Sequence, residues 1–230
     1  MIHATGCRAG LLEGKRLKLY GYELSQATMR VRIALNLKGI AFQERSLDLL
    51  AGDQFDPGFL AVNPQAVVPA LIAGDGGSPL FQSMAILEYI EETWPEPPLL
   101  PGDARGRARV RGLSQIIVAD THRVQVPRVR RYLTETLAQD QEALGGWIRY
   151  RVGAGLAAFE AQLAGSTDTG PYCHGARVTF ADLCLVPQIF GARRFDVPLD
   201  EYPLARAIFD RCLELDAFRE AAPPGTPRRS

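Results

Sequence analysis

Histidine and cysteine are scarce in this sequence, neither sign of charge is in excess, and long apolar runs are absent. The 230 residues include three histidines and four cysteines, none spaced like metal ligands, so we expect no metal site. Basic and acidic residues are equal at 26 each, so the overall charge favours neither nucleic acid nor an anionic membrane as a partner. No apolar run approaches the ~20 residues that span a bilayer.

The cysteines and the N-terminus indicate a reducing compartment. Cys7, Cys173, Cys184 and Cys212 form no Cys-x-x-Cys pair and are expected to be buried free thiols. Residues 1–15 lack the apolar core of a secretory signal. We therefore expect a cytoplasmic protein with a short N-terminal extension.

Strand-like and helix-like segments alternate over the first part of the chain. The patterns predict strands at 16–22, 41–47, 68–73 and 79–81, and helices at 26–38, 55–62 and 82–93. This βαβαββα order is typical of a small mixed sheet with helices packed on it.

A proline-rich linker at 94–102 separates this part from a second part that is predicted to be all helical. Helical patterns cover 104–138, 140–164, 179–194 and 203–213, which gives predicted domains at 16–96 and 104–222. The helix at 179 starts with a capping-box variant, Thr179-Phe180-Ala181-Asp182, which we interpret as structural.

The helix at 26–38 carries the first candidate for chemistry. Its apolar residues alternate as in a strand, but Ser25 is an N-cap residue type and Lys38-Gly39 is a typical helix end. Free N–H groups at a helix N-terminus and a serine hydroxyl both stabilise a thiolate. Lowering a thiol pKa by about 2 units takes about 2.7 kcal/mol. Taken alone, Ser25 is more simply a helix cap.

Two further motifs stand at strand ends. Val68-Pro69 opens an apolar strand; a cis proline there would leave the Val68 backbone free to pair with a peptide, although an edge-strand proline gives the same pattern. Gln82-Ser83 stands where a strand ends and a helix begins. Its hydroxyl and free N–H groups suit a carboxylate, or simply cap the helix.

Two longer segments complete a resemblance to a known family. Arg30–Gly39 and Ala181–Gln188 closely resemble the signatures of the zeta class of the glutathione transferase superfamily, and the similarity extends from about Leu17 to Pro224. The class includes maleylacetoacetate isomerases and bacterial maleylpyruvate isomerases. The resemblance implies the glutathione transferase fold, with an α/β thioredoxin-like N-terminal domain and an all-α C-terminal domain, and a homodimer.

The resemblance also implies the parts of the site. Glutathione would be the cofactor and a small dicarboxylate the substrate, whose carboxylates arginine binds in bidentate fashion. The implied glutathione contacts are Ser25, Val68, Gln82, Ser83 and either Gln125 or His122; the implied substrate contacts are Arg128 and Arg194; the implied catalytic residues are Ser25 and Arg194.

The implied reaction is cis–trans isomerisation of a double bond conjugated to a carbonyl. The glutathione thiolate would add to the alkene, allow rotation about the resulting single bond, and leave unchanged. The same scaffold also supports the alternatives of a glutathione transferase or dehalogenase, and, less readily, a non-catalytic binding module.

Two positions depart from the pattern of the class. Leu24 replaces the usual basic residue before the serine, and Ala27 replaces the usual cysteine. We therefore expect Ser25 to act without a protein thiol, and the substrate charges to be met from the helical domain. The segment Asp120–His122, followed by Arg128, looks more like the maleylpyruvate branch. Arg130 and Arg131 are expected to lie on a solvated helix face.

Overall fold

The computed structural model of the chain describes residues 17–226. The predicted extension at 1–15, the thiol of Cys7, and the predicted strand start at Arg16 lie outside this range. Within it, no helix is both long enough and apolar enough to cross a membrane.

Four short strands form one mixed sheet in the order β2-β1-β3-β4. β1 (Leu17–Gly21) is parallel to β2 (Phe42–Ser46) and antiparallel to β3 (Ala70–Ile72), which is antiparallel to β4 (Leu80–Phe81). All four predicted strands are present, each shorter than predicted by one or two residues at one or both ends. The carboxyl end of β1 leads directly to Ser25.

Three helices accompany the sheet: α1 (Gln26–Leu37), α2 (Pro57–Leu60) and α3 (Ser83–Thr93). A 3₁₀ turn at Asp53–Phe55 precedes α2, so the predicted helix at 55–62 is shorter and broken. α1 packs against α3 and against two helices of the second part of the chain, Phe180–Arg194 and Asp216–Ala221. Because neighbours cover it on several sides, its apolar residues need not follow one face, which explains their strand-like spacing.

Among the described residues, the second part of the chain contains helices and loops but no strand. Its helices are α4 (Ala104–Gln115), α5 (Pro127–Arg131), α6 (Gln141–Ala164), α7 (Phe180–Arg194), α8 (Pro203–Cys212) and α9 (Asp216–Ala221). α9, which is only six residues long, was not predicted from the sequence. α7 is buried over most of its length, and its first turn has the predicted capping box: the Asp182 carboxylate accepts hydrogen bonds from the Thr179 backbone N–H (2.7 Å) and hydroxyl (2.9 Å).

The prediction of one helix over 104–138 was wrong. After α4 the chain passes through a π turn (Ile116–Thr121) and a 3₁₀ turn (His122–Gln125), then breaks at Val126, whose backbone is extended (φ −67°, ψ 153°). Pro127 causes the break, because it lacks an N–H group and disfavours helical backbone in the residue before it. The broken segment forms one wall of a cavity between the sheet domain and the helical domain.

Candidate active site

The eight residues assigned to the site from the sequence line one cavity of about 290 Å³. Its walls come from the N-termini of α1 and α3, from the broken segment at 122–131, and from the C-terminal end of α7. The role of each residue stays a prediction. The eight are Ser25, Val68, Gln82, Ser83, His122, Gln125, Arg128 and Arg194.

Ser25 caps α1 and borders the cavity at the same time. Its Oγ accepts a hydrogen bond from the Thr28 backbone N–H at 3.2 Å. A hydroxyl that accepts still has its own hydrogen to donate. Helix capping and donation to a thiolate, the two interpretations of Ser25, are therefore compatible in this geometry.

The loop before β3 presents backbone to the cavity. The Val68–Pro69 peptide bond is cis, which is one of the two alternatives that the sequence left open, and the Val68 side chain is buried in a core cluster of the sheet domain. The amide of Asn63, itself 2% exposed, donates to the Val67 carbonyl at 2.7 Å and fixes the loop. With its side chain buried in the core, Val68 can offer its backbone to a ligand in the cavity.

A buried cation, which no local sequence pattern indicates, lies behind the N-terminus of α3. Arg30 is fully buried, and its Nη1 donates to the Ser83 hydroxyl at 3.2 Å. Its Nε and Nη2 have no hydrogen-bond partner among residues 17–226, and burial lowers its pKa. Together with the free N–H groups of the α3 N-terminus, Arg30 makes this end of the cavity attractive to an anion.

His122 and Gln125 lie on the opposite, helical side. Burial, followed by the positive charges of Arg30 and Arg123, holds the pKa of His122 well below 6.5, so its imidazole is neutral at neutral pH. The Gln125 Nε2 donates to Gln188 Oε1 at 3.0 Å, while its own Oε1 is buried without a partner in the described range. This amide oxygen of Gln125 can therefore accept a hydrogen bond from a ligand.

The lowered pKa of His122 gives a testable dependence of stability on pH. The unfolded chain binds a proton on His122 more tightly than the folded chain does. The free energy of unfolding should therefore be highest above about pH 6.5, where His122 is neutral in both states, and should fall by at most about 1.4 kcal/mol per pH unit below it. Urea unfolding at several pH values should show a weaker decline for His122→Gln than for the unchanged chain. His174→Gln is the control, and equal declines in all three proteins would contradict the assignment.

Positive charge dominates the cavity wall. Six arginines line it, and no aspartate or glutamate among residues 17–226 does. Only Arg131 of the six pairs with a described acidic side chain, Glu135 at 3.6 Å. In a chain without net charge, this concentration indicates a site for a multiply charged anion. The arginines are Arg30, Arg123, Arg128, Arg130, Arg131 and Arg194.

The expectation of a solvated helix face is wrong for Arg130. Arg131 is exposed, but Arg130 is half-buried, its Nε is fully buried, and its guanidinium lies over the ring of Phe195. Because the helix ends at Val126 and a new one begins at Pro127, the side chains of 127–131 do not continue the helical faces of the preceding segment. No periodicity taken across the break could have found Arg130.

Comparison with known proteins agrees with this architecture. Residues 15–92 match the glutathione S-transferase N-terminal domain family, and residues 149–216 match the C-terminal domain family. Maleylpyruvate isomerase from a Ralstonia species is 44% identical, over 92% of this chain and 99% of that protein. A maleylacetoacetate isomerase structure from Methylobacterium extorquens AM1, with bound malonate and GSH, is 47% identical with a TM-score of 0.88, over 92% of this chain and 100% of that one. The holo structure of a bacterial zeta-class maleylpyruvate isomerase is 44% identical with a TM-score of 0.87, over 93% of this chain and 100% of that one.

A thioredoxin-like sheet domain, a helical domain and a cavity between them define a glutathione transferase, and the predicted fold class is confirmed. The chain belongs to the zeta class of that superfamily, the family of the glutathione-dependent maleylacetoacetate and maleylpyruvate isomerases.

Proposed function

We propose that this chain catalyses the glutathione-dependent cis–trans isomerisation of a maleyl keto acid, either maleylacetoacetate or maleylpyruvate, to the fumaryl product. The observation that carries the proposal is the cavity beside the serine-capped N-terminus of α1, which six arginines line and to which no acidic side chain of residues 17–226 contributes. The relatives that bear the names of both isomerases support it.

The cavity residues fit glutathione. The Ser25 hydroxyl has a hydrogen to donate to its sulfur, the backbone of Val68 suits its cysteinyl unit, and the α3 N-terminus at Ser83 suits its γ-glutamyl carboxylate. Two glutamines are available for its polar groups: Gln82, whose Nε2 donates to Gln65 Oε1 at 2.7 Å, and Gln125, whose Oε1 has no partner among residues 17–226. When bound, glutathione supplies the thiolate that adds to the double bond and so permits rotation.

The chain itself supplies charge and orientation. Arg128 and Arg194 would bind the substrate carboxylates and stabilise the negative charge that develops on the carbonyl oxygen. A neutral His122 adds no further positive charge, and can accept or donate one hydrogen bond. The apolar groups of the cavity, such as Val118 and Phe195, limit solvation and thereby strengthen these interactions.

The direct test is turnover. The protein is incubated with maleylacetoacetate and with maleylpyruvate, with and without catalytic amounts of glutathione, and the fumaryl product is followed. Glutathione-dependent turnover of either substrate supports the proposal, and the ratio of the two values of kcat/KM identifies the preferred one. No turnover, together with glutathione conjugation or dehalogenation of a chloro-aromatic or chloroacetate, would instead support the transferase alternative.

Arg194→Ala is expected to raise KM for the maleyl substrate about tenfold, because it removes one charge-assisted hydrogen-bonding group worth about 1.5 kcal/mol. KM for glutathione should change little. Arg193→Ala is the matched control, since Arg193 lies next in sequence but stacks on Phe209, 4.3 Å from the ring centroid. Equal weakening of substrate and glutathione in Arg194→Ala would contradict the assignment.

Two further expectations stay predictions: the homodimer and the cytoplasmic location. Sedimentation of the purified chain tests the first and cell fractionation the second.

A further inference from the structure

Arg130 and Arg194 share one aromatic ring at the cavity wall. The Arg130 guanidinium carbon is 5.5 Å from the centroid of the Phe195 ring, and that of Arg194 is 5.9 Å from the same centroid. The two arginines come from separate elements, α5 and the last turn of α7. The fold therefore brings two positive charges to one place.

This pair is electrostatically unfavourable by itself. Burial and the neighbouring charge of Arg194 both lower the pKa of Arg130. Neither arginine forms an ion pair with an acidic side chain in the described range. The Phe195 ring attracts each guanidinium but does not offset the repulsion between them. A bound anion would offset it.

Arg130 also lacks the hydrogen bonds that a structural arginine has in this chain. Arg109, for comparison, donates to the Cys173 carbonyl at 2.7 Å and to the Thr169 hydroxyl at 2.8 Å, and so joins two segments of the helical domain. The buried Nε of Arg130 has no partner in residues 17–226. On the sheet side of the cavity, Leu24 beside Ser25 is uncharged, and the one lining arginine from that domain within residues 17–226, Arg30, donates to the Ser83 hydroxyl.

We propose that Arg130 is a further substrate-binding residue, which together with Arg194 binds one carboxylate of the dicarboxylate substrate. The identity of that substrate rests on the proposed function, whereas the binding of a carboxylate does not. A guanidinium presents a planar set of donors that matches a carboxylate, and two guanidiniums can share its two oxygens. The anion also removes the repulsion between the arginines, so binding gains from both effects.

Malonate binding to the full chain saturated with glutathione tests the proposal without turnover. The affinity is measured by calorimetry for the unchanged chain, Arg130→Leu, Arg194→Ala and the double variant, with Arg211→Leu as a control that loses a surface arginine paired with Glu214. Arg130→Leu should weaken malonate about tenfold and leave glutathione affinity unchanged. The double variant should lose less malonate affinity than the product of the two single fold-losses, because both arginines bind one carboxylate.

Thermal stability separates this role from a structural one. A packing arginine stabilises the fold, so its removal would lower Tm. We expect Arg130→Leu without ligand to keep or raise Tm, because the repulsion is gone, and to lose the Tm rise that malonate produces in the unchanged chain. Arg130→Lys, which keeps the charge, should recover part of that rise.

Two results would overturn the inference: malonate affinity in Arg130→Leu equal to that of the control, or a lowered Tm with an undiminished malonate-induced rise. Failure of the proposed function looks different. Malonate binding that depends on Arg130, in a protein that turns over neither maleyl substrate, would support the carboxylate site and contradict the isomerase assignment.

Discussion

Replacement of Ser25 by alanine is expected to lower kcat/KM for the isomerisation about 10- to 100-fold near neutral pH. A hydrogen bond to a charged acceptor is worth about 1.5–3 kcal/mol, which corresponds to about one to two pKa units of a thiol. Without that bond, the pKa of bound glutathione returns toward its free value and the thiolate fraction falls by the same factor. The remaining N–H groups of α1 retain part of the effect.

The loss should depend on pH in a defined direction. As the pH approaches the pKa of a free thiol, about 8.5, the thiolate fractions of the two proteins converge. A more basic thiolate is also the stronger nucleophile, which recovers part of the rate. The pH–rate profile of Ser25→Ala is therefore expected to shift to higher pH, and ultraviolet difference absorbance of the bound thiolate should shift with it.

Two matched variants separate this role from helix capping. Ser25→Thr keeps both the cap and the hydroxyl and should retain most of the activity. Ser25→Asp still accepts from the Thr28 backbone N–H, as a good N-cap does, but its carboxylate cannot donate to a thiolate and repels it. Its activity should fall at least as far as that of Ser25→Ala. An unshifted pH profile in both Ser25→Ala and Ser25→Asp would remove Ser25 from thiolate stabilisation.

The sequence predicted residues that line one cavity, because the signals for them are local. The cap at Ser25, the Val68-Pro69 turn and the Gln82-Ser83 start of α3 each depend on a few consecutive residues, whose backbone preferences act before tertiary packing does. The resemblance then connected them into one site.

Arg30 and Arg130 could not be found in this way. The burial of an arginine depends on what packs around it: Arg30 reaches Ser83, 53 residues further along the chain, and Arg130 reaches a ring at position 195. α9 was missed for a related reason, since a six-residue helix is too short for a periodic pattern or for stability of its own. It is held by the buried Phe218 and by the amide of Asn36, which donates to the Ala217 carbonyl at 3.1 Å.

Replacement of Glu91 by alanine is expected to lower the free energy of unfolding by about 3–5 kcal/mol. The Glu91 carboxylate pairs with the Lys38 ammonium at 2.8 Å, and both side chains are almost completely buried. The same carboxylate accepts from the backbone N–H groups of Leu99 (2.9 Å) and Leu100 (3.1 Å), while Lys38 also donates to the Pro97 carbonyl at 2.8 Å. This cluster attaches the linker to the ends of α1 and α3.

The expected loss comes from what the alanine leaves behind. A buried ammonium would keep only carbonyl partners, and two buried N–H groups would lose theirs, each at the full cost of desolvation. For a chain of this size the change corresponds to a Tm lower by roughly 10 °C. Glu92→Ala is the matched control, because Glu92 is exposed on the same helix and should change stability by no more than about 0.5 kcal/mol.

A double-mutant cycle with Lys38→Met separates the ion pair from the linker contacts. Lys38→Met alone should also be strongly destabilising, since it leaves the buried carboxylate of Glu91 without its cation. Adding Glu91→Ala to it should then lower stability by less than Glu91→Ala does in the unchanged chain, because no ammonium remains to be stranded. Urea unfolding of the four proteins measures the difference. Strictly additive losses, or a Glu91→Ala effect no larger than that of Glu92→Ala, would show that the linker is held by the apolar contacts of Leu99 and Leu100 instead.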